Sequence, residues 1–176
     1  IEEKDRKNFL EEYSQDIFPL VSVMIPTFNR AKFFKEALES VLNQTYRNFE
    51  IVVSDDGTND ETEKLIQPYL EKYSCIKYFR NKGFNSHDNW NFLRDYNNPE
   101  AEYVNWLMDD DRFAPRKLEI MVEAYINNPD VSLVTSPRKI IDGDGKFLGV
   151  LDALRLKTNV KINGDEAGRL IFMLTS

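Results

Sequence analysis

Four short apolar runs, "PLVSVMIP" (19–26), "FEIVVSDDG" (49–57), "CIKYF" (75–79) and "AEYVNWLM" (101–108), are separated by stretches with helical periodicity. Runs of this length, rich in β-branched residues and bounded by Pro, Gly or Asp, read as strands buried on both faces. Between the first two, "RAKFFKEALESVLNQ" sets Phe33/Phe34, Ala37/Leu38 and Val41/Leu42 four apart, the spacing of an amphipathic helix. "TEKLIQPYLEKY" predicts a second helix, with Thr58 and Glu61 at capping-box spacing and Pro68 expected to kink or shorten it. "RNKGFNSHDNWNFLRDYNN" reads as a Gly/Asn loop running into a third. A fourth helix, opened by Pro115, turns Leu118, Met121/Val122 and Tyr125/Ile126 inward. "VSLVTS" (131–136) predicts a fifth strand, and "RKIIDGDGKFLGV" a hairpin around Asp-Gly-Asp-Gly. Residues 1–18 read as a charged helix with a thin stripe of Phe9, Leu10 and Tyr13, and "GDEAGRLIFMLTS" begins a last helix.

Strands alternating with helices imply an α/β fold, a Rossmann-like and mostly parallel sheet with helices on both faces. With 176 residues and no linker or repeat, one domain over 19–176 is expected to follow the N-terminal helix. Ligands of such sheets bind at the carboxyl ends of the strands. Three polar clusters fall there: Thr27-Phe28-Asn29-Arg30, Asp55-Asp56-Gly57 and Asp109-Asp110-Asp111. They are distant in sequence and are expected to meet along one rim.

The aspartate triplet raises a charge question, because the chain already carries a net charge of −7. Carboxylates after a strand commonly cap the next helix, where they favour its N-terminal dipole. Three in a row exceed that need. A cluster with no His or Cys nearby suits a hard cation such as Mg²⁺ or Mn²⁺, which takes one or two carboxylates plus phosphate oxygens and water. Asp55 and Asp56 could instead accept hydrogen bonds from a base or ribose, although Asp-Gly after a strand is also ordinary turn chemistry. Phe28 is a candidate base-stacking ring as well as a packing residue. His87 is the only histidine, and Arg30, Arg80 and Lys82 are the cations that could offset phosphate.

The same composition removes several classes. The acidic balance disfavours binding of a nucleic-acid backbone. A single cysteine, Cys75, excludes an internal disulfide or a cysteine metal cluster and fits a reducing, cytoplasmic setting. No apolar run approaches the roughly 18–20 residues of a membrane span. The charged first residues lack the apolar core of a signal peptide, and a start at Ile1 suggests a trimmed chain. "DGDGKFLGVLDA" imitates a calcium loop but has Phe147 for its Gly and Ala153 for its terminal Glu. Gly83 stands alone, so neither a dinucleotide fingerprint nor a Walker loop is present.

Together, "VSVMIPTFNRAKFFKEALESVLNQTYRNFEIVVSDDGTNDET", "NKGFNSHDNWNFL" and "WLMDDDRFAPRKLEIMVEAY" closely resemble the family 2 glycosyltransferases of GT-A fold over roughly residues 19–150. "ESVLNQTYRNFEIVVSDDG" is especially characteristic. The resemblance implies a nucleotide-diphosphate-sugar donor, most often a UDP-sugar, with Mn²⁺ or Mg²⁺ and inverting transfer to a saccharide, lipid-linked or protein acceptor. Bacterial polysaccharide synthesis and protein glycosylation are typical settings. By position, Pro26, Thr27, Phe28 and Arg30 would line the nucleotide pocket, Asp56 would contact the base, and Asp55 would support it. Asn81, Gly83 and Asn89, in the segment Arg80–Asn89, would lie beside the diphosphate or sugar.

Asp109–Asp111 take the place of the family's DxD motif, often read Asp-x-Asp-Asp with a proline five residues after its third position. Counting back from Pro115 makes Asp110 the metal ligand and Asp109 the x position, and Met108 stands where many members have their first aspartate. Asp109 would then take the ribose contact. A register on Asp109-x-Asp111 would make Asp111 the ligand, so the metal set is Asp110 and Asp111. An inverting transfer needs a general base for the acceptor hydroxyl. The late carboxylates Asp152, Asp165 and Glu166 lack a recognisable context for it, so the base is expected beyond Ser176 in a longer enzyme. The rival readings are a non-catalytic nucleotide-binding or scaffold domain and a nucleotidyltransferase. The latter would carry a Gly-rich, basic phosphate loop where this chain has "PTFNRAKFF".

Overall fold

β1 (Leu20–Thr27) is the strand on which the others assemble, and its residues from Val21 onward are buried. It pairs in parallel with β2 (Phe49–Asp55) on one side and β4 (Ala101–Trp106) on the other. β3 (Ile76–Arg80) adds in parallel beyond β2, giving the order β3-β2-β1-β4. The computed structural model describes residues 18–96 and 98–151. Residues 1–17 of the expected N-terminal helix and the expected helix of "GDEAGRLIFMLTS" lie outside them.

The side-chain period of two divides the sheet into faces. Val21, Val23, Ile25, Phe49, Ile51 and Val53 point one way. They pack against Phe34, Leu38 and Val41 of α1 (Ala31–Leu42), Ile66 of α2 (Glu61–Lys72), and Leu118 and Val122 of α4 (Lys117–Ile126). Met24 and Val52 point the other way, onto Leu93 of α3 (Ser86–Asp95), with Phe79, Phe92, Tyr96 and Trp106 around them. Helices therefore cover both faces, as the alternation of runs predicts.

β1 connects through α1 to β2 and onward to β3 on one side, whereas β4 lies on the opposite side of β1. The strand order reverses between β1 and β4, and open α/β sheets bind their ligands at such a switch point.

Three local expectations are corrected. Thr58 and Glu61 do not form a capping box: Asp60 is the N-cap of α2 and makes no side-chain cap, while Asn59 Oδ1 accepts the Glu61 N–H at 3.0 Å. Thr58 is occupied by Asn29, which takes its N–H and donates to its hydroxyl. Pro68 does not shorten α2, which continues to Lys72. Its position is exposed, so the carbonyl that loses a backbone donor can turn to water. Pro115 precedes α4 by two residues, and its carbonyl accepts the Thr45 N–H at 2.9 Å.

The chain divides into two compact units, one ending at Val122 and one beginning at Glu123. In the second, "VSLVTS" is not a strand. The Val131 N–H goes to Asn128 O and the Val134 N–H to the Tyr125 hydroxyl, so neither donates to a ladder. The expected hairpin does form, as β5 (Arg138–Ile141) and β6 (Phe147–Leu151), antiparallel. Asp142 Oδ1 organises its turn by accepting from Asp144 N (3.0 Å) and Lys146 N (2.9 Å), and Gly145 supplies φ +81°.

Candidate functional site

The carboxyl ends of β1 and β4 are joined by Asp109, only 7% exposed. One of its oxygens, Oδ2, accepts the Thr27 hydroxyl at 3.0 Å and the Phe28 N–H at 3.4 Å. Its other oxygen, Oδ1, accepts from Arg30 Nη1 at 3.3 Å, and the same nitrogen donates to Asp110 Oδ2 at 2.7 Å. Burial pushes the Asp109 carboxyl up, with the charge of Asp110 adding to it. The Thr27 hydroxyl, Arg30 and the Phe28 N–H pull the other way. Asp110 and Asp111 are exposed, and the Asp111 N–H bonds to Met108 O at 3.1 Å in the turn that lifts them from the strand.

The end of β2 forms the adjoining wall. Asp55 is fully buried and faces inward, with Oδ1 on the Gly57 N–H (2.8 Å) and Arg80 Nη1 (2.8 Å), and Oδ2 on the Tyr78 hydroxyl (2.6 Å). Asp56 lies above it, and Oδ1 accepts from Asn89 Nδ2 at 2.8 Å. Burial first, then the nearby charges of Asp55 and Asp109, pushes the Asp56 carboxyl up. Asn89 also donates to Ser54 O and accepts the Ser54 hydroxyl, which in turn accepts from Asn81 Nδ2 at 2.7 Å. Asn89 and Asn81 thus tie the α3 segment to the end of β2.

Asn29 joins the two loops. It adopts φ +54°, a left-handed conformation that Asn tolerates better than most residues. Its Oδ1 accepts the N–H groups of Thr58 (2.8 Å) and Asn59 (3.3 Å). Gly57 is required where these groups converge: a Cβ there would stand 2.8 Å from Asp55 Oδ1 and 2.9 Å from Asn29 Oδ1.

The structure brings Thr27, Phe28, Arg30, Asp56, Asn89, Asp109 and Asp110 to one rim, with Pro26 buried in β1 behind them. Phe28 is 49% exposed. Gly83, at φ +91°, has open space around it. Arg80 is corrected as a phosphate-facing cation: its side chain is 12% exposed and committed to Asp55 and to Asn59 O (2.7 Å). Lys82 is exposed and pairs with Asp60, and His87 is exposed on the first turn of α3.

Sequence reasoning misses Gln44, which is fully buried. Its Nε2 donates to Ser40 O (3.0 Å) and Ala114 O (2.8 Å), and its Oε1 accepts the Leu118 N–H (3.0 Å). It pins the loop that follows the aspartates to the end of α1. The only hint in the sequence is an Asn-Gln pair directly after Val41/Leu42.

Residues 22–172 match the family described as Glycosyl transferase family 2. The chain belongs to that family. An uncharacterized glycosyltransferase of Rickettsia bellii is 34% identical over 152 residues, covering 83% of this chain and 21% of that protein. The GalNAc(5)-diNAcBac-PP-undecaprenol beta-1,3-glucosyltransferase of Campylobacter jejuni is 33% identical over 105 residues, covering 60% of this chain and 34% of that protein. Among solved structures, S. aureus TarS 1–349 in complex with UDP has a TM-score of 0.53 at 26% identity, covering 62% of this chain and 32% of that one. The fold is the GT-A fold of these family 2 glycosyltransferases. This family 2 chain spans 21% and 34% of the length of those two curated relatives.

Proposed function

We propose that this family 2 chain is the donor-binding part of an enzyme that moves a sugar from a UDP-sugar to an acceptor hydroxyl with inversion. The observation that carries the proposal is the junction of Thr27, Phe28 and Arg30 with Asp109 and Asp110 at the switch point of the sheet. The TarS relative, solved with UDP, supports the nucleotide. The C. jejuni relative is a glucosyltransferase whose name specifies a PP-undecaprenol-linked glycan, which supports a lipid-linked saccharide among the acceptor classes. No helix among the described residues is long and apolar enough to cross a membrane.

The donor set fits a hard divalent cation in part. Among the described residues no three His, Cys, Asp or Glu side chains form a cage. The rim instead offers the exposed carboxylates of Asp110 and Asp111 beside the buried one of Asp109, and Mg²⁺ or Mn²⁺ completes such a set with phosphate oxygens and water. Asp110 and Asp111 would hold the ion. Such an ion supplies Lewis-acid stabilisation of a diphosphate leaving group. Asp109 stays fixed by Thr27 and the Phe28 N–H and faces the ribose, Phe28 stacks on the base, and Asp56 accepts a base N–H. Asn81, Gly83 and Asn89 border the diphosphate and sugar. The general base for the acceptor hydroxyl comes from outside the described residues.

Calorimetric titration of UDP into the chain, with and without Mn²⁺, tests the proposal. Binding is expected to require the metal. Asp110→Ala is expected to weaken it by at least the roughly 10–100-fold that loss of an outer-shell partner costs a metal site. Metal-independent binding, or unchanged affinity in Asp110→Ala, would remove the metal from the proposal, and no UDP binding at all would remove the donor.

A further inference from the structure

Among the described residues, Arg30 holds the one guanidinium that touches the aspartates, and both of these hydrogen bonds run through a single nitrogen, Nη1. That nitrogen sits between Asp109 Oδ1 at 3.3 Å and Asp110 Oδ2 at 2.7 Å, where a cation shared by two carboxylates would sit. The Arg30 side chain is 52% exposed and Asp110 50%, so the contact is wet and its hold modest. Nothing buries Arg30 in place. It precedes α1 as the N-cap residue and makes no side-chain cap. The chain thus neutralises its own rim with a movable side chain whose planar fork also matches phosphate oxygens.

On the functional reading given above, we infer that Arg30 is the resident counter-cation of Asp109 and Asp110, competes with the divalent ion for Asp110, and couples metal binding to diphosphate binding. Without a nucleotide, a divalent ion must displace the guanidinium from Asp110, and the freed cation gains only water. With a nucleotide diphosphate bound, the guanidinium has a new anion to pair with, so its departure from the aspartates is offset. Each ligand then tightens the other, and the coupling is the same in both directions. Arg30 is a positioning residue here, acting on the metal site by leaving it.

The inference predicts an unusual sign: loss of a residue from the site should improve metal binding. Mn²⁺ affinity of the 176-residue chain can be followed at neutral pH by paramagnetic resonance of the free ion, with and without UDP, in wild type, Arg30→Gln and Lys32→Gln. Lys32 is an exposed cation two residues on that contacts neither aspartate, so it controls for the general field. In Arg30→Gln, Mn²⁺ alone is expected to bind about twofold to fivefold more tightly, the upper part of the range for exposed ion pairs. The tightening of Mn²⁺ binding by UDP is expected to shrink by a similar factor. Lys32→Gln is expected to leave both values near wild type. Equal gains in the two variants would assign the effect to net charge and overturn the inference. Unchanged or weaker Mn²⁺ binding in Arg30→Gln, with metal-dependent UDP binding intact in wild type, would also overturn it while leaving the proposed function standing. Failure of wild type to bind UDP with Mn²⁺ would instead strike the proposed function itself, and this inference with it.

Discussion

Asp55→Ala is expected to lower the unfolding free energy by about 3–4 kcal/mol, within the range for removing one partner of a buried ion pair. The carboxylate is fully buried, and three donors converge on it: Arg80 Nη1, the Gly57 N–H and the Tyr78 hydroxyl. Alanine removes the acceptor that all three share, although Arg80 Nη1 keeps the backbone carbonyl of residue 55 at 3.4 Å. Arg80 retains Asn59 O at 2.7 Å, Glu63 at 3.8 Å and Asp60 at 4.0 Å, which keeps the loss toward the lower end of that range. Its Nε is already buried without a hydrogen-bond partner, so the guanidinium has little slack. Asp55→Asn keeps an acceptor for Tyr78 but removes the charge opposite Arg80, and about half the loss, roughly 2 kcal/mol, is expected. Denaturant unfolding of both variants measures this. A loss below about 1 kcal/mol in the alanine variant would mean that the pair contributes no more than an exposed one. Because Asp55 also holds the Gly57 turn, UDP affinity is expected to fall in both variants even where they remain folded.

The residues that build the sheet were legible because burial on two faces leaves a signature in the chain itself. "IVV" is apolar without interruption and "VSVMI" is broken only by Ser22, and each places side chains on both helical layers. "VSLVTS" has a similar composition yet forms no strand, and Leu133 is 69% exposed. Apolar β-branched residues fit a pleated surface, but a ladder needs a partner, and local sequence does not reveal one. The rim clusters were legible for a related reason: once strands are placed, their ends are placed, and Thr27 meets Asp109 across 82 positions of sequence. Direction was harder to read. Asp55 and Asp56 are neighbours of the same type, yet the first turns inward to Arg80 and the second lies against Asn89. Arg80 looked like any cation near a phosphate site, and only its register opposite Asp55 in the β2–β3 pair explains why it is consumed.

Charge at the rim follows from the same geometry. Asp109 and Asp56 have carboxyls pushed up, and burial is the largest cause in each. Each lies near another acid, so the rim gains from a cation whether or not a donor is bound. An acidic chain can therefore receive an anionic nucleotide, provided that the cations lie between them rather than being spread over the surface. In the structure Arg30 fills that place.

Gln44→Leu is expected to destabilise the chain by about 2 kcal/mol, although leucine is apolar and the position is fully buried. The amide is 0% exposed and uses both ends. Its Nε2 serves Ala114 O and Ser40 O, and its Oε1 serves the N–H of Leu118, itself fully buried. Leucine leaves the buried Leu118 N–H without its acceptor, at a cost of about 1–3 kcal/mol, whereas Ala114 O keeps the Lys117 N–H at 2.9 Å. Gln44→Glu tests the polarity of the arrangement: it keeps an acceptor for Leu118 but turns a second oxygen toward two carbonyls, so it is expected to be no better than leucine. The functional effect follows from position. Gln44, with the Thr45 N–H on Pro115 O and the Ser40 hydroxyl on the Phe113 N–H, fastens residues 113–118 to the end of α1. That loop continues from Asp109–Asp111, so its anchor sets where the aspartates stand relative to Arg30 at the other end of α1. Denaturant unfolding gives the stability loss, and UDP titration with Mn²⁺ on the folded fraction gives the positional one. The affinity loss is expected to be smaller than in Asp110→Ala, since the carboxylate is displaced rather than deleted. Wild-type stability in Gln44→Leu would show that the loop is held by its apolar contacts, Phe113 and Leu118, and not by the amide.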